Sequence, residues 1–166
     1  MLEMINHAIL NLRTRRASSA IAAIIPHDYP NSFLDTLRSP QAGHYWVGCD
    51  VSHDMLTVAS ERETSTAGDL FHHDMGTGLP FQPASFDGCI SISALQWLCY
   101  SNTAAQVPKR RLVRFFSALY GVLKRGARAV LQFYPETPEQ AVLISGEGDR
   151  RLERSDSSFT YHSLLN

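Results

Sequence analysis

Long apolar runs, paired cysteines and glycine-rich turns are all scarce in this 166-residue chain. No apolar run approaches the roughly 18 residues that a spanning helix needs, so a membrane-spanning protein is not expected. The three cysteines, Cys49, Cys89 and Cys99, form no CxxC, and the first two sit inside apolar runs. That usage predicts buried thiols in a reducing compartment rather than a disulfide framework. No Cys/His cluster has the spacing of metal ligands, and no metal is expected. His72 and His73 come nearest, but neighbours in a strand point to opposite faces and do not share one ion. Charge is sparse as well: 19% of residues are charged and the formal net charge is -1, which by itself says nothing about nucleic acid. There are no internal repeats.

What is present is 44% apolar sequence, a composition that supports one globular domain with a real core. The pattern alternates strand and helix. Residues Gly43 to Leu56 read GHYWVGCDVSHDML. The run Tyr45 to Cys49 closes on Asp50, and Ser52 can cap a helix whose Met55, Leu56 and Ala59 share one face. In an open α/β sheet an acid at the carboxyl end of such a strand accepts the ribose hydroxyls of an adenosine. The glycine-rich turn expected about 20 residues upstream is missing.

Further on, the pattern predicts a strand around Leu70 to Met75, then a loop marked by Gly76, Gly78, Pro80 and Pro83. A buried strand over Gly88 to Ser93 runs into a helix start at Ala94 to Leu98. Pro108 opens a helix with Leu112, Phe115, Phe116, Leu119, Val122 and Leu123 on one face, stopped by Gly126. Ala127 to Phe133 reads as a strand covered on both faces. Ala20 to Ile25 is a strand or a helix end. The expected sheet is mostly parallel with right-handed crossovers. Three segments follow: an amphipathic N-terminal helix over 1–19, a domain over 20–145, and a polar, disordered tail over 146–166. Arg13, Arg15 and Arg16 faintly suggest a transit peptide, but Leu2, Ile5, Ile9 and Leu12 at helical spacing explain the segment as well, and mitochondrial targeting is not expected.

The stretches GHYWVGCDVSHDML, GDLFHHDMGTGLPFQPASFDGCISISALQWLCY and FFSALYGVLKRGARAVLQFYPE closely resemble the eukaryotic small-subunit (18S) ribosomal RNA guanine-N7 methyltransferases, a class I S-adenosylmethionine-dependent family. The resemblance covers residues 43 to 144. It implies an α/β, Rossmann-like class I methyltransferase sheet, S-adenosyl-L-methionine as cofactor, ribosomal RNA or the pre-ribosome as partner, and a nuclear or nucleolar, or else cytoplasmic, setting. By position, Asp50 would hold the ribose hydroxyls, Asp74 the adenine amino group, Met75 would border the ring and Ser91 would face the methionine part. Gln96, Trp97 and Tyr134 would stack and read a flipped base. Plainer roles stand beside these. Asp50 can be a helix-capping acid, Asp74 a loop-entry acid and Ser91 a core hydroxyl bonded to backbone. Trp97 can be a core anchor and Tyr134 a rim residue.

Two departures from the family stand out. Tyr29, Asn31 and Phe33 occupy the places of the glycine turn, where side chains oppose close approach to a ligand, although Ile21 to Ile25 has the spacing of the central strand. The tail replaces the family's last strands, so the sheet is expected to be incomplete and the chain a truncated paralogue or a misjoined gene model. Apolar faces at Leu95, Leu98, Phe115 and Leu131 would then be left partly uncovered.

The resemblance implies no catalytic nucleophile, because guanine N7 carries its own lone pair. The sequence has neither a Pro-Cys nucleophile nor an Asx-Pro-Pro-aromatic clamp. Lys109, Arg110, Arg111 and Arg114, with Lys124, Arg125 and Arg128, either contact RNA phosphates or form the solvated face of a helix. The family also uses a small zinc-binding activator protein that adds a strand to the sheet. Leu70 to Met75 is the edge offered to it. Two other readings remain open: a non-catalytic module that binds this activator or the pre-ribosome, and a small-molecule methyltransferase of the same superfamily.

Overall fold

A computed structural model describes residues 19–23, 45–61, 68–101, 103, 106–152 and 158–163. Six strands form one sheet in the order β3-β2-β1-β4-β5-β6. They are β1 (Ser19–Ala23), β2 (Tyr45–Asp50), β3 (Gly68–His72), β4 (Phe86–Ile92), β5 (Leu123–Phe133) and β6 (Ser158–Ser163). Every pairing is parallel. The helices are α1 (His53–Glu61), α2 (Pro108–Val122) and α3 (Pro138–Leu152), with short 3-10 turns at Met75–Thr77 and Leu95–Cys99.

The first strand in the chain is thus the middle of the sheet, pairing Ala20 with both Trp46 and Gly88. This agrees with a central strand near Ile21, shifted two residues toward the N-terminus. On the other side of β2 the pairing with β3 depends on shape. Trp46 is 2% exposed, and it pairs in register with Gly68, whose lack of a side chain makes room for the indole.

The core lies where α2 and α3 cover β4 and β5. Leu112, Phe115, Phe116, Leu119 and Val122 of α2 meet Cys89, Ala129, Leu131 and Phe133 of the sheet and Ile144 of α3. Burying each of the leucine, valine, isoleucine and phenylalanine side chains among them stabilises by about 1.5–3 kcal/mol. Leu95, Leu98, Phe115 and Leu131 are all buried, so these four are covered rather than left bare.

Three boundaries differ from the sequence expectation. α2 ends at Val122, before Gly126, because Leu123 is itself buried and pairs with Phe86 at the start of β5. Gly126 instead takes a positive φ of 75° where the β4–β5 register shifts. β3 stops at His72, since Asp74 turns the chain by accepting the Gly76 N–H at 2.8 Å. The helix start at Ala94 to Leu98 is realised only as a five-residue 3-10 turn, Leu95–Cys99.

The segment expected to be disordered from Gly146 onward carries the end of α3 and then β6. Burial of Ile144, fully enclosed, offsets part of the helix cost of Gly146 and Gly148, about 1 kcal/mol each. The expected helix over 1–19 and the glycine-turn positions Tyr29, Asn31 and Phe33 lie outside the described residues.

Candidate functional site

The carboxyl ends of β2, β3 and β4 enclose a cavity of about 320 Å³. One wall comes from β2, the turns after β2 and β3, and the first turn of α1: Cys49, Asp50, Ser52, Met55, Asp74 and Met75. The opposite wall is Ser93, Ala94, Trp97 and Leu98 after β4, with Arg111 reaching in from α2.

Asp50 sits at the end of its strand because Ser52 folds back on it, donating its N–H to Oδ1 at 2.7 Å. Ser52 in turn caps α1, its Oγ accepting the Met55 N–H at 3.4 Å. Asp50 therefore does serve as a local turn acid, and it also faces the cavity. Burial raises its pKa above the usual carboxylate value, while the Ser52 and Val51 N–H groups and nearby His72 act in the other direction. Beside it the Cys49 thiol is pushed up to about 11, chiefly by burial and then by Asp50 and Asp74. It is a neutral, unreactive wall near neutral pH.

Asp74 shows a second double use. Its Oδ1 accepts from the Gly76 N–H and from Arg111 Nη2, each at 2.8 Å. The Arg111 side chain is 11% exposed. Met75 opens the 3-10 turn, so its N–H has no partner within that turn.

At the end of β4, Ser93 adopts a positive φ of 53°, a conformation costly for a residue with a side chain. Gln132 of β5 holds it there. The Ser93 N–H donates to the Gln132 carbonyl at 2.9 Å and to Oε1 at 3.1 Å, and the Ser93 hydroxyl donates to the same Oε1 at 3.1 Å. Gln96 Nε2 donates to the Ser93 carbonyl at 2.9 Å, and Gln96 Oε1 accepts from the Tyr134 N–H at 3.4 Å.

Of the residues singled out from sequence, the cavity collects Asp50, Asp74, Met75 and Trp97. Trp97 is 60% exposed and lies 5.4 Å from the Tyr100 ring, so it is not a core anchor. Ser91 does not line the cavity; it is fully buried, and its hydroxyl has no partner among the described residues. Gln96 is buried in the network beneath Ser93, and Tyr134 meets that network through its backbone.

Arg111 departs from its expected place. It lines the cavity, whereas Lys109, Arg110 and Arg114 are exposed on α2. Lys124 is engaged by Asp87 at 2.9 Å. His72 and His73 turn apart, donating from Nε2 to the Val51 and Gly78 carbonyls respectively, each at 2.8 Å. Among the described residues no three His, Cys, Asp or Glu side chains are grouped as metal ligands would be.

Ser93 and Arg111 were missed from sequence. Arg111 had a legible signal, since it stands four residues before Phe115 and eight before Leu119 on the apolar stripe of α2. Ser93 had none, because its left-handed turn depends on a side chain 39 residues away.

A methyltransferase domain model matches residues 31–131. Over 154 residues the chain is 56% identical to the 18S rRNA (guanine-N(7))-methyltransferase of Bos taurus, covering 87% of this chain and 54% of that protein. The counterpart from Mus musculus is 47% identical over 154 residues with the same coverage. The chain thus spans about half the length of the curated relatives it matches. Among solved structures, the methyltransferase in a complex with the Haloferax volcanii Trm112 methyltransferase activator superposes with a TM-score of 0.52. The match is at 20% identity and covers 74% of this chain and 47% of that one. That likeness shows the fold: a class I methyltransferase sheet. By its domain match the chain belongs to the methyltransferase domain family, and the curated relatives it resembles are 18S rRNA (guanine-N(7))-methyltransferases.

Proposed function

We propose that the cavity binds S-adenosylmethionine and that the chain acts on a guanine N7 of small-subunit ribosomal RNA. The observation that carries this reading is the convergence of Asp50 and Asp74, from the ends of β2 and β3, on one cavity faced by the Ser93 turn and Trp97. The donor set suits an adenosyl group. Asp50 keeps one oxygen for ribose hydroxyls beyond its bond to Ser52. Asp74 and the Met75 N–H offer an acceptor and a donor side by side, matching the amino group and N1 of adenine.

The chemistry supplied by the cofactor is an electrophilic methyl group. Guanine N7 needs no proton removed, so the residues have only to position the base and exclude water. Trp97 gives a face on which a flipped base stacks. The Ser93–Gln132–Gln96 network fixes the turn that borders it. Exposed Lys109, Arg110 and Arg114 flank Arg111 on the same helix and suit phosphate contacts.

Partner docking belongs to the same reading. β3 pairs with β2 alone among the described strands, leaving one edge for a strand supplied by a small zinc-binding activator protein. The similar methyltransferase in complex with the Haloferax volcanii Trm112 methyltransferase activator supports such a partner. The edge offered is Gly68–His72, shorter than Leu70 to Met75 at its far end. A nucleolar setting goes with ribosomal RNA as substrate. Among the described residues no helix is long and apolar enough to cross a membrane.

The test is calorimetric titration of the chain, coexpressed with the activator, with S-adenosylmethionine and an Asp50→Ala control. Micromolar affinity lost in the control supports the reading. A soluble, folded complex that does not bind the cofactor refutes it and leaves the second reading, a non-catalytic activator-binding module. That second reading is favoured by Tyr29, Asn31 and Phe33 standing in place of glycines.

A further inference from the structure

Arg111 is an expensive residue to place where it is. Its side chain is 11% exposed and its Nε is buried with no partner. Its Nη1 stands 3.5 Å from the Tyr100 carbonyl, at the limit of a hydrogen bond. A buried ion pair of this kind adds little net stability, because desolvating the two charges cancels most of their attraction. Stability therefore does not account for an arginine on the apolar stripe of α2. Its location does. Arg111 Nη2 holds Asp74 Oδ1 at 2.8 Å, and Gly76 holds the same oxygen through its N–H. Gly76 is part of the arrangement, since a Cβ there would stand 2.5 Å from Arg111 Nε and 3.0 Å from Asp74 Oδ1.

We infer that Arg111 is a positioning residue for base selection at the adenine end of the cavity. With Oδ1 fixed by two donors, the carboxylate cannot rotate, and Oδ2 is the acceptor left to meet an exocyclic amino group. Arg111 acts through Asp74 and has no contact with the reacting methyl to make. This inference rests on the adenosyl reading of the cavity and adds to it the residue that sets discrimination between adenine and hypoxanthine. A hypoxanthine ring presents a carbonyl in place of the amino group, which would face Oδ2 acceptor to acceptor.

The experiment compares S-adenosylhomocysteine with S-inosylhomocysteine by calorimetry on the full chain, as wild type, Arg111→Met and Gly76→Ala. The second substitution keeps the arginine but drives its flexible guanidinium off Asp74, so the test survives if Arg111→Met fails to fold. Wild type is expected to prefer the adenine ligand by about tenfold or more, as one charge-assisted hydrogen bond gives. In the folded variants the preference should fall at least about threefold below the wild-type value, what remains coming from the hypoxanthine N1–H set donor to donor against the Met75 N–H, with affinity for the inosine ligand little changed. Equal weakening of both ligands would mark a merely structural role and overturn the inference, as would an undiminished preference in the variants or none in wild type. Wild type binding neither ligand overturns the adenosyl reading together with this inference, whereas binding with undiminished preference in the variants overturns this inference alone.

Discussion

Replacing Gly68 with alanine should destabilise the fold through one rigid contact. The added Cβ would stand 1.9, 2.2 and 2.5 Å from Trp46 Cε2, Cζ2 and Cδ2, where carbon atoms rest at about 3.5–4.0 Å. The indole is 2% exposed and cannot swing into solvent, so relief requires β3 to move away from β2 by more than 1 Å or so, loosening the ladder that pairs Trp46 with Gly68. Overpacking of this kind costs about 1–3 kcal/mol, and the shortness of the contact puts Gly68→Ala near the top of that range. Gly121→Ala is the matched control. It lies on the exposed side of α2, and its Cβ would meet nothing within 4 Å. There alanine should stabilise by about 0.5–1 kcal/mol through helix propensity. Urea unfolding followed by far-UV circular dichroism would read both midpoints, and the two substitutions should move them in opposite directions with the slope unchanged. A Gly68→Ala midpoint equal to that of wild type, with Gly121→Ala shifted upward, would refute the Trp46–Gly68 packing.

Two further outcomes follow from burial. Leu119→Ala removes a fully buried side chain from the last turn of α2 and should cost about 2–5 kcal/mol, whereas Val142→Ala, at a site 71% exposed, should stay within about 0.5 kcal/mol; urea midpoints compare them directly. Burial also pushes the Cys89 thiol up to about 12 and the Cys49 thiol up to about 11, from an ordinary value of 9.0. Above pH 9 or so the unfolded chain sheds these protons while the folded chain keeps them, so the unfolded state binds fewer protons and stability falls as pH rises toward 11–12. Urea midpoints at pH 8 and pH 10 should show the fall, and Cys89→Ala should make it shallower.

What was legible in the sequence was local. The β2–Asp50–α1 unit follows from an apolar run, an acid and a capping serine within ten residues, and parallel pairing follows from the alternation of strands and helices. What was hidden depends on distant partners. Arg111 reads as one of four neighbouring basic side chains until Asp74, 37 residues away, turns it inward. The left-handed Ser93 turn requires Gln132. β1, SAIAA, carries little bulk for a central strand, and its place follows from pairing β2 and β4 on either side. β6 was concealed by polar composition. The period-two signal of Phe159 and Tyr161 was there, in a stretch where charge dominated. The roles of the cavity residues toward a ligand were suggested by family resemblance, not by periodicity.

The central position of β1 makes it the ruler of the cavity. One wall hangs from β2 and β3, the other from β4 and the elements after it, and among the described strands β1 alone pairs with both halves. A slip of one residue along either side of β1 would carry one wall about 3.3 Å past the other. The span from the two carboxylates to the Ser93 turn is therefore metered by a five-residue strand. Substitutions in that strand can alter ligand affinity by sliding one wall past the other, leaving every cavity residue in place on its own element.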